Sequence, residues 1–262
     1  MTLIYMLLIL QSCSVINKKG SWGKKALYPL RSERLVEAIK KNASSGHVWG
    51  PLIGAGVVTA LDLDRNISNW VHHEGAIYKD VRAADNWSDH FNNIQKYEMY
   101  AVILFTPSHD EDMSFTQYLY NKVRGGFALN IASSSTRFTV DQVRKVVHRQ
   151  RPNRMDMKSL PSGHASEAGA RRVIVSKGVD AIDMKEQLRT GIKFLNTGMS
   201  AATIWARVEG KRHYPSDVLA GYALGSLVSG VVYDFLMNDD SEQSFSFIPM
   251  KDKYSMTYTI SF

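Results

Sequence analysis

The sequence predicts an all-α helical bundle that ends in a short C-terminal β-hairpin. Three observations point there. Within Asp183–Ala206, Leu188, Ile192, Leu195, Met199, Ala202 and Trp205 recur every three or four residues, the repeat of an amphipathic helix. Val218–Tyr233 is a run of 16 residues without formal charge, just short of a membrane span, and reads as the central core helix of a bundle. In the tail, Phe245 and Phe247, then Tyr254, Met256, Tyr258, Ile260 and Phe262, alternate with polar residues, the period of a strand. Pro249 to Lys253 turns the chain between the two halves. An alternating strand with a terminal Phe also resembles an outer-membrane barrel signal, but one hairpin does not make a barrel.

The remaining elements follow in chain order. Residues 1–12 carry no charged side chain, and Leu3–Leu10 fits the apolar core of a secretory signal. Cys13 follows in the context LILQSC and is the only cysteine, which excludes an intramolecular disulfide and a multi-cysteine zinc site. This context resembles a bacterial lipobox, in which the preceding peptide is removed and the cysteine lipidated. Ser14, rather than Asp, then favours the outer membrane by resemblance to Gram-negative lipoproteins. Residues 13–25, with Lys18, Lys19, Lys24 and Lys25, read as a solvated tether. Asn42–Leu61 has no formal charge but holds Pro51 and four glycines, so it reads as a buried helix or core hairpin rather than a span. Asp62–Lys79 reads as helix plus loop, and Met99–Phe105 as a short apolar run. Phe115–Val123 and Thr139–Gln150 read as two separate helices, with Thr139 capping the second.

The 262-residue chain is 44% hydrophobic and 22% charged, which excludes a disordered or low-complexity protein. Its mean hydropathy of −0.22 argues against many membrane spans. With 32 Lys and Arg against 25 Asp and Glu, the net charge of +7 suits an anionic partner. No basic run is interleaved with aromatics, so nucleic acid is not the expected partner.

Three clusters carry chemistry. Arg144 and Arg151 lie seven residues apart, ahead of Pro152, so a helix reaching both would point two guanidiniums the same way. Such a pair suits a bound phosphate, and equally a solvated helix face. Pro161-Ser162-Gly163-His164 opens a helix over Ala165–Val175. Ser162 caps it, Gly163 lets backbone approach a ligand, and the free N–H groups form an anion site beside His164. A plain capped helix start with an incidental His has the same pattern. Arg207, His213 and Asp217 follow, with Pro215 in the first turn of the next helix. Four residues from His213, Asp217 can reach an imidazole N–H and leave the other nitrogen free to attack. A structural His–Asp cap fits as well.

Taken together, R-x6-R-P, P-S-G-H and R-x5-H-x3-D resemble the type 2 phosphatidic acid phosphatase superfamily, which includes bacterial class A acid phosphatases and vanadium haloperoxidases. HYPSDVLAGYALG resembles its phosphatase branch. The motifs span Arg144–Gly225, about a third of the chain. Two positions depart from the pattern: Arg144 stands where the family has Lys, and Ala206 where it has Ser. The resemblance implies a soluble, all-α phosphatase domain over residues 26–240, followed by the hairpin tail at 241–262. It implies hydrolysis of phosphate monoesters, lipid phosphates or isoprenyl pyrophosphates, with no metal or other cofactor. His213 would be the nucleophile that forms a phosphohistidine, oriented by Asp217. His164 would protonate the leaving oxygen, and Arg144, Arg151, Ser162, Gly163 and Arg207 would hold the phosphate. Two other readings share the motifs: a vanadium haloperoxidase with His213 as vanadate ligand, and a catalytically silent envelope lipoprotein. The expected location is the periplasmic cell envelope, anchored to the membrane through lipid on Cys13.

Overall fold

The computed structural model describes residues 22–27, 30–75, 77–108 and 113–237, and the backbone alone of 243–250 and 253–260. The signal segment and Cys13 lie outside the described residues. Eight helices form the body: α1 (Ser32–Ala43), α2 (Gly46–Ala60), α3 (Asp64–Glu74), α4 (Val81–Phe105), α5 (Phe115–Val147), α6 (Gly163–Asp180), α7 (Glu186–Glu209) and α8 (Pro215–Met237). Gln243–Met250 and Lys253–Ile260 run as an antiparallel backbone pair. Their side chains and the connecting residues lie outside the description, so the supported fold is the helical body alone.

Helix α8 is the axis. It packs against α1, α2, α5 and α6, while α7 packs against α3, α4 and α6. Glycines allow the closest approach: a Cβ on Gly225 would overlap the Ser166 carbonyl oxygen across the α6–α8 contact. The main core gathers Met99, Val102, Leu129, Ile174, Val175, Tyr233 and Leu236 from four helices.

In the stretch expected as tether, Trp22 and Gly23 are buried while Lys24 and Lys25 are exposed. Trp22 is buried over Gly125, and its backbone N–H donates to the Pro107 carbonyl at 3.1 Å. The Leu27 N–H donates to Leu236 at 2.7 Å. Lys122 sits 5.5 Å from the Trp22 ring and donates to the carbonyls of Ile103, Leu104 and Thr106 at the end of α4. The packed body therefore already includes Trp22, and this strap docks at the end of α8 where Leu236 lies.

Two sequence expectations are overturned by packing. The two helices predicted around residue 130 are one, α5. Thr139 is no cap: its hydroxyl donates to Ser135 O, as Ser134 and Ser135 donate to Asn130 and Ile131. These bonds, each to the carbonyl four residues back, keep the small polar residues inside the helix instead of breaking it. The stretch Asn42–Leu61 is not buried either. Within α2 only Val48 and Ala55 are buried, and Trp49, Leu52, Ile53 and Val57 face outward.

Helix α7 shows the same inversion. It buries Asn196, Ser200 and Thr203, and leaves Leu188, Phe194 and Leu195 exposed. The reason is polar pairing in the interior. Gln95 of α4 donates to Ser200 Oγ at 2.8 Å and to Asn196 O at 3.1 Å, and Ser200 Oγ lies 3.3 Å from Ala168 O of α6, so the polar stripe is satisfied inside the bundle. Much of the exterior is correspondingly apolar. Tyr97 and Leu104 on α4, and Phe127 and Phe138 on α5, add to the exposed residues of α2 and α7.

Candidate active site

The end of the bundle that holds the start of α8 concentrates the polar residues. Ser162 caps α6 by accepting from the Ala165 N–H, as the motif predicts, which turns the first-turn N–H groups of α6 outward. Arg144 comes from the last turn of α5, where its Nε donates to Pro161 O at 3.1 Å. A Cβ at Gly163 would sit 3.1 Å from the Arg144 guanidinium, so glycine is what lets the two approach. Arg207 ends α7 almost fully buried; it donates to Asp85 Oδ1 at 3.1 Å and Ser88 Oγ at 3.3 Å. Arg151 lies in the loop after α5, with Nε 2.8 Å from Asp156 as an ion pair.

These groups meet in one cavity of about 420 Å³, lined by Arg144, Arg151, Gly163, His164, Arg207 and His213 together with residues of α5 and α6. Six of the predicted site residues are therefore brought together. Ser162 is fully buried and stays behind the cavity as the cap. Asp217 is fully buried as well and does not line the cavity.

Asp217 does not reach the imidazole as expected. His213 Nδ1 instead donates to the backbone carbonyl of Ser159 at 2.6 Å. A carbonyl can only accept, so Nδ1 carries the proton and Nε2 keeps its lone pair. Asp217 acts one step away: it accepts from Ser159 Oγ at 2.5 Å, from the Tyr214 N–H at 2.9 Å and from Arg149 at 2.6 Å. The carboxylate is spent on the loop around His213 rather than on the ring. Burial pushes its pKa up despite these three donors.

Burial, then repulsion from Arg207, Arg151 and Arg144, holds the His213 pKa well below the ordinary histidine range. His213 is thus a neutral imidazole among cations, as a nitrogen nucleophile must be. The His164 pKa is lowered by burial and by Arg207, against the opposing pull of Asp89, whose Oδ1 lies 2.7 Å from His164 Nε2. Burial brings Arg207 down to about 10, which keeps it cationic at neutral pH.

Five residues of the site carried no motif. Arg149 bridges Asp217 and Asp64 at 2.6 Å each, donates to Ser216 Oγ and stacks 4.6 Å over Tyr214. Asp64, at the start of α3, also accepts from the Ser216 N–H. Asp85, Asp89 and Ser159 complete the set. Arg149 was visible as a charge in RKVVHRQRP, whereas the acidic partners come from α3 and α4, far away in sequence. His148 caps α5 in a left-handed conformation and stands outside the cavity lining. Among the described residues, no group of three or more His, Cys, Asp or Glu is placed to hold a metal ion.

Residues 111–240 match the model of the PAP2 superfamily, a stretch that holds every cavity-lining side chain. That segment is a PAP2 superfamily domain. The fold agrees. The chain superposes on the crystal structure of the first transmembrane PAP2 type phosphatidylglycerolphosphate phosphatase from Bacillus subtilis with a TM-score of 0.52. Identity is 15%, and the match covers 76% of this chain and 94% of that one. No curated protein matches the sequence. Within the PAP2 domain, α8 is the one described helix long and apolar enough to cross a membrane, with half of its apolar window buried inside the bundle.

Proposed function

We propose that the protein is a metal-independent phosphatase that hydrolyses phosphate monoesters through a phosphohistidine on His213. The observation that carries this reading is the single cavity in which Arg144, Arg151, Arg207 and Gly163 surround His164 and His213. Three guanidiniums and the first-turn N–H groups of α6 suit the equatorial oxygens of a phosphoryl group in transfer. His213 Nε2 attacks phosphorus while the ester P–O bond breaks. His164 as imidazolium, its Nε2–H held by Asp89, gives its other proton to the leaving alkoxide. The same nitrogen then takes a proton from water as the water attacks the phosphohistidine, releasing phosphate and free His213.

The reading extends to location. The apolar exterior of α2, α4, α5 and α7, the apolar length of α8 and the transmembrane character of the structural neighbour support work at a membrane, on phosphorylated lipids or on small phosphate esters beside it. The lipobox context of Cys13 adds an envelope lipoprotein anchor, and the alternating tail a terminal hairpin.

The test is phosphate release by purified protein in EDTA, with an aryl phosphate, phosphatidic acid, an isoprenyl pyrophosphate and a nucleotide as substrates. Turnover that survives EDTA and vanishes in His213→Ala is the expected result. Activity retained in His213→Ala, or lost to the chelator, would overturn the mechanism.

A further inference from the structure

A second cavity, of about 530 Å³, lies outside the catalytic one and shares no lining residue with it. It is lined by Asn69, His72, His73 and Lys211. Asn69, His72 and His73 stand at i, i+3 and i+4 of α3, so one helix face presents all three. Arg65, one turn earlier, continues that stripe. Lys211 comes from the turn between α7 and α8. That turn sends three successive side chains to three places: His213 into the catalytic cavity, Arg212 onto Asp85 at 2.8 Å, and Lys211 into the second cavity. The backbone of Lys211 is left-handed, with φ +52°, a conformation that side-chain-bearing residues enter at a cost. The turn fixes it there: the Lys211 N–H donates to Val208 O at 3.0 Å, and the Arg212 and His213 N–H groups both donate to Arg207 O.

None of the lining residues is acidic, and the Lys211 ammonium has no hydrogen bond or ion pair among the described residues. Glu209, whose charge reaches His72, is buried and committed elsewhere. It accepts from the Tyr78 N–H at 2.7 Å, the Lys79 N–H at 3.2 Å and Trp205 Nε1 at 2.8 Å. Burial, then repulsion from Lys211, lowers the His72 pKa, with His73 adding to the repulsion and Glu209 opposing it. Cationic and neutral donors are thus gathered around an open space with no anion among them.

We propose that this cavity is a second anion site, which takes a phosphate group between Lys211 and the imidazoles of His72 and His73, with the Asn69 amide as a further donor. A phosphate has enough acceptor oxygens to serve donors arriving from two elements at once, which the two oxygens of a carboxylate do less well. The site uses no residue of the catalytic cavity, so it stands apart from the phosphatase reading. Its occupant ties α3 to the turn that carries His213.

The phosphate comes either free or on an anionic lipid, so the experiment has two arms. In the first, the histidine ring signals of the whole protein are followed by NMR as inorganic phosphate is added, with sodium chloride at equal ionic strength as the reference. His72→Gln and His73→Gln assign the two signals. Both are expected to move and saturate with phosphate. Lys211→Met should weaken the Kd read from them about tenfold, the loss of one charge-assisted hydrogen bond. Lys145→Met removes the same charge outside the cavity and should leave that Kd unchanged. His164 and His213 signals at their wild-type positions show that each variant is folded. In the second arm, the protein is sedimented with vesicles of phosphatidylcholine, alone or with one-third phosphatidylglycerol. Extra binding to the anionic vesicles that falls in Lys211→Met but not in Lys145→Met assigns the phosphate to lipid; movement of the two histidine signals without that difference assigns it to the free ion. The proposal is overturned if the signals move equally in wild type and Lys211→Met. It is also overturned if they stay fixed at about 0.1 M phosphate, a hundredfold above a millimolar Kd, while vesicle binding is the same in both lysine variants.

Discussion

Asp217 reaches the His213 ring through Ser159. The carboxylate takes the Ser159 hydroxyl at 2.5 Å, and the carbonyl of the same residue takes the His213 Nδ1 proton at 2.6 Å. A carboxylate bonded directly to a catalytic imidazole is worth about 10⁴ in rate in the serine proteases. At one remove, Asp217→Ala is expected to cost kcat about tenfold to hundredfold, the range for outer partners of a reactive group. Because both act through one loop, Ser159→Ala and Asp217→Ala should be non-additive in a double-mutant cycle. Additive losses in kcat would mean that the carboxylate works independently of Ser159.

Arg149 holds two buried carboxylates at once. Its loss leaves Asp64 and Asp217 facing each other without a cation, and removal of one partner from a buried pair costs about 3–5 kcal/mol. Arg149 keeps some exposure, so Arg149→Ala is expected at the low end, about 3 kcal/mol. Urea unfolding of both proteins measures this directly, and a midpoint unchanged from wild type would show that the bridge is not a stabilising element.

The two histidines set opposite limits on pH. His213 must be neutral to attack, and its lowered pKa keeps it so in mild acid. His164 must be protonated to act as acid, and its own lowered pKa removes that proton early as pH rises. The kcat/KM profile should therefore be bell-shaped with its maximum below about 6.5, the unperturbed histidine pKa. Asp89→Asn takes away the group that favours the His164 imidazolium, so the alkaline limb moves to lower pH. A maximum on the alkaline side of 7.5 would contradict the assignment of acid and nucleophile.

Glu98 sits half-buried between α4 and α7, accepting from Asn196, and burial raises its pKa to about 7. A carboxyl raised in the folded state binds its proton more tightly there than in the unfolded chain. It favours folding fully below its ordinary value near 4.5, and that contribution is lost as pH rises through about 7. Wild type should lose on the order of 1–3 kcal/mol from this group between pH 4.5 and 8, allowing for partial exposure. Glu98→Gln should lack that component of the pH dependence. Melting temperatures of the two proteins at pH 5 and pH 8 separate the outcomes; parallel changes would remove Glu98 as the source.

Alanine is the better helix former by about 1 kcal/mol, yet Gly225→Ala should destabilise. The new methyl meets the Ser166 carbonyl of α6, and α6 and α8 must part. Overpacking of a tight contact costs about 1–3 kcal/mol, which outweighs the propensity gain. Since Ser166 lines the cavity, kcat/KM should fall together with the midpoint of thermal unfolding.

The cavity-lining residues were legible because they fall in three local motifs that resemble one family as a set; spacing alone left each motif open to a structural reading. Arg144, Gly163 and His213 each lie near a helix end. The counter-charges were not readable: Asp64, Asp85 and Asp89 reach the site from α3 and α4, and no local pattern links them to Arg149, Arg207 or His164. The helix boundaries failed where polar residues found partners inside the bundle. Thr139 resembles a cap until Ser135 O is seen to accept its hydroxyl, and Asn196 faces inward where Gln95 donates to it. Periodicity located α7, but it assumes that apolar faces turn inward, and here the hydrogen-bonded polar stripe does.

Helix α8 joins the two ends of the molecule as one rod. Leu236 receives the docked strap and Asp217 locks the site, 19 residues apart, or about 28 Å along the axis. No loop interrupts the helix between these two points, so a bend introduced along it would displace the strap and the site together, with nothing between them to absorb the change.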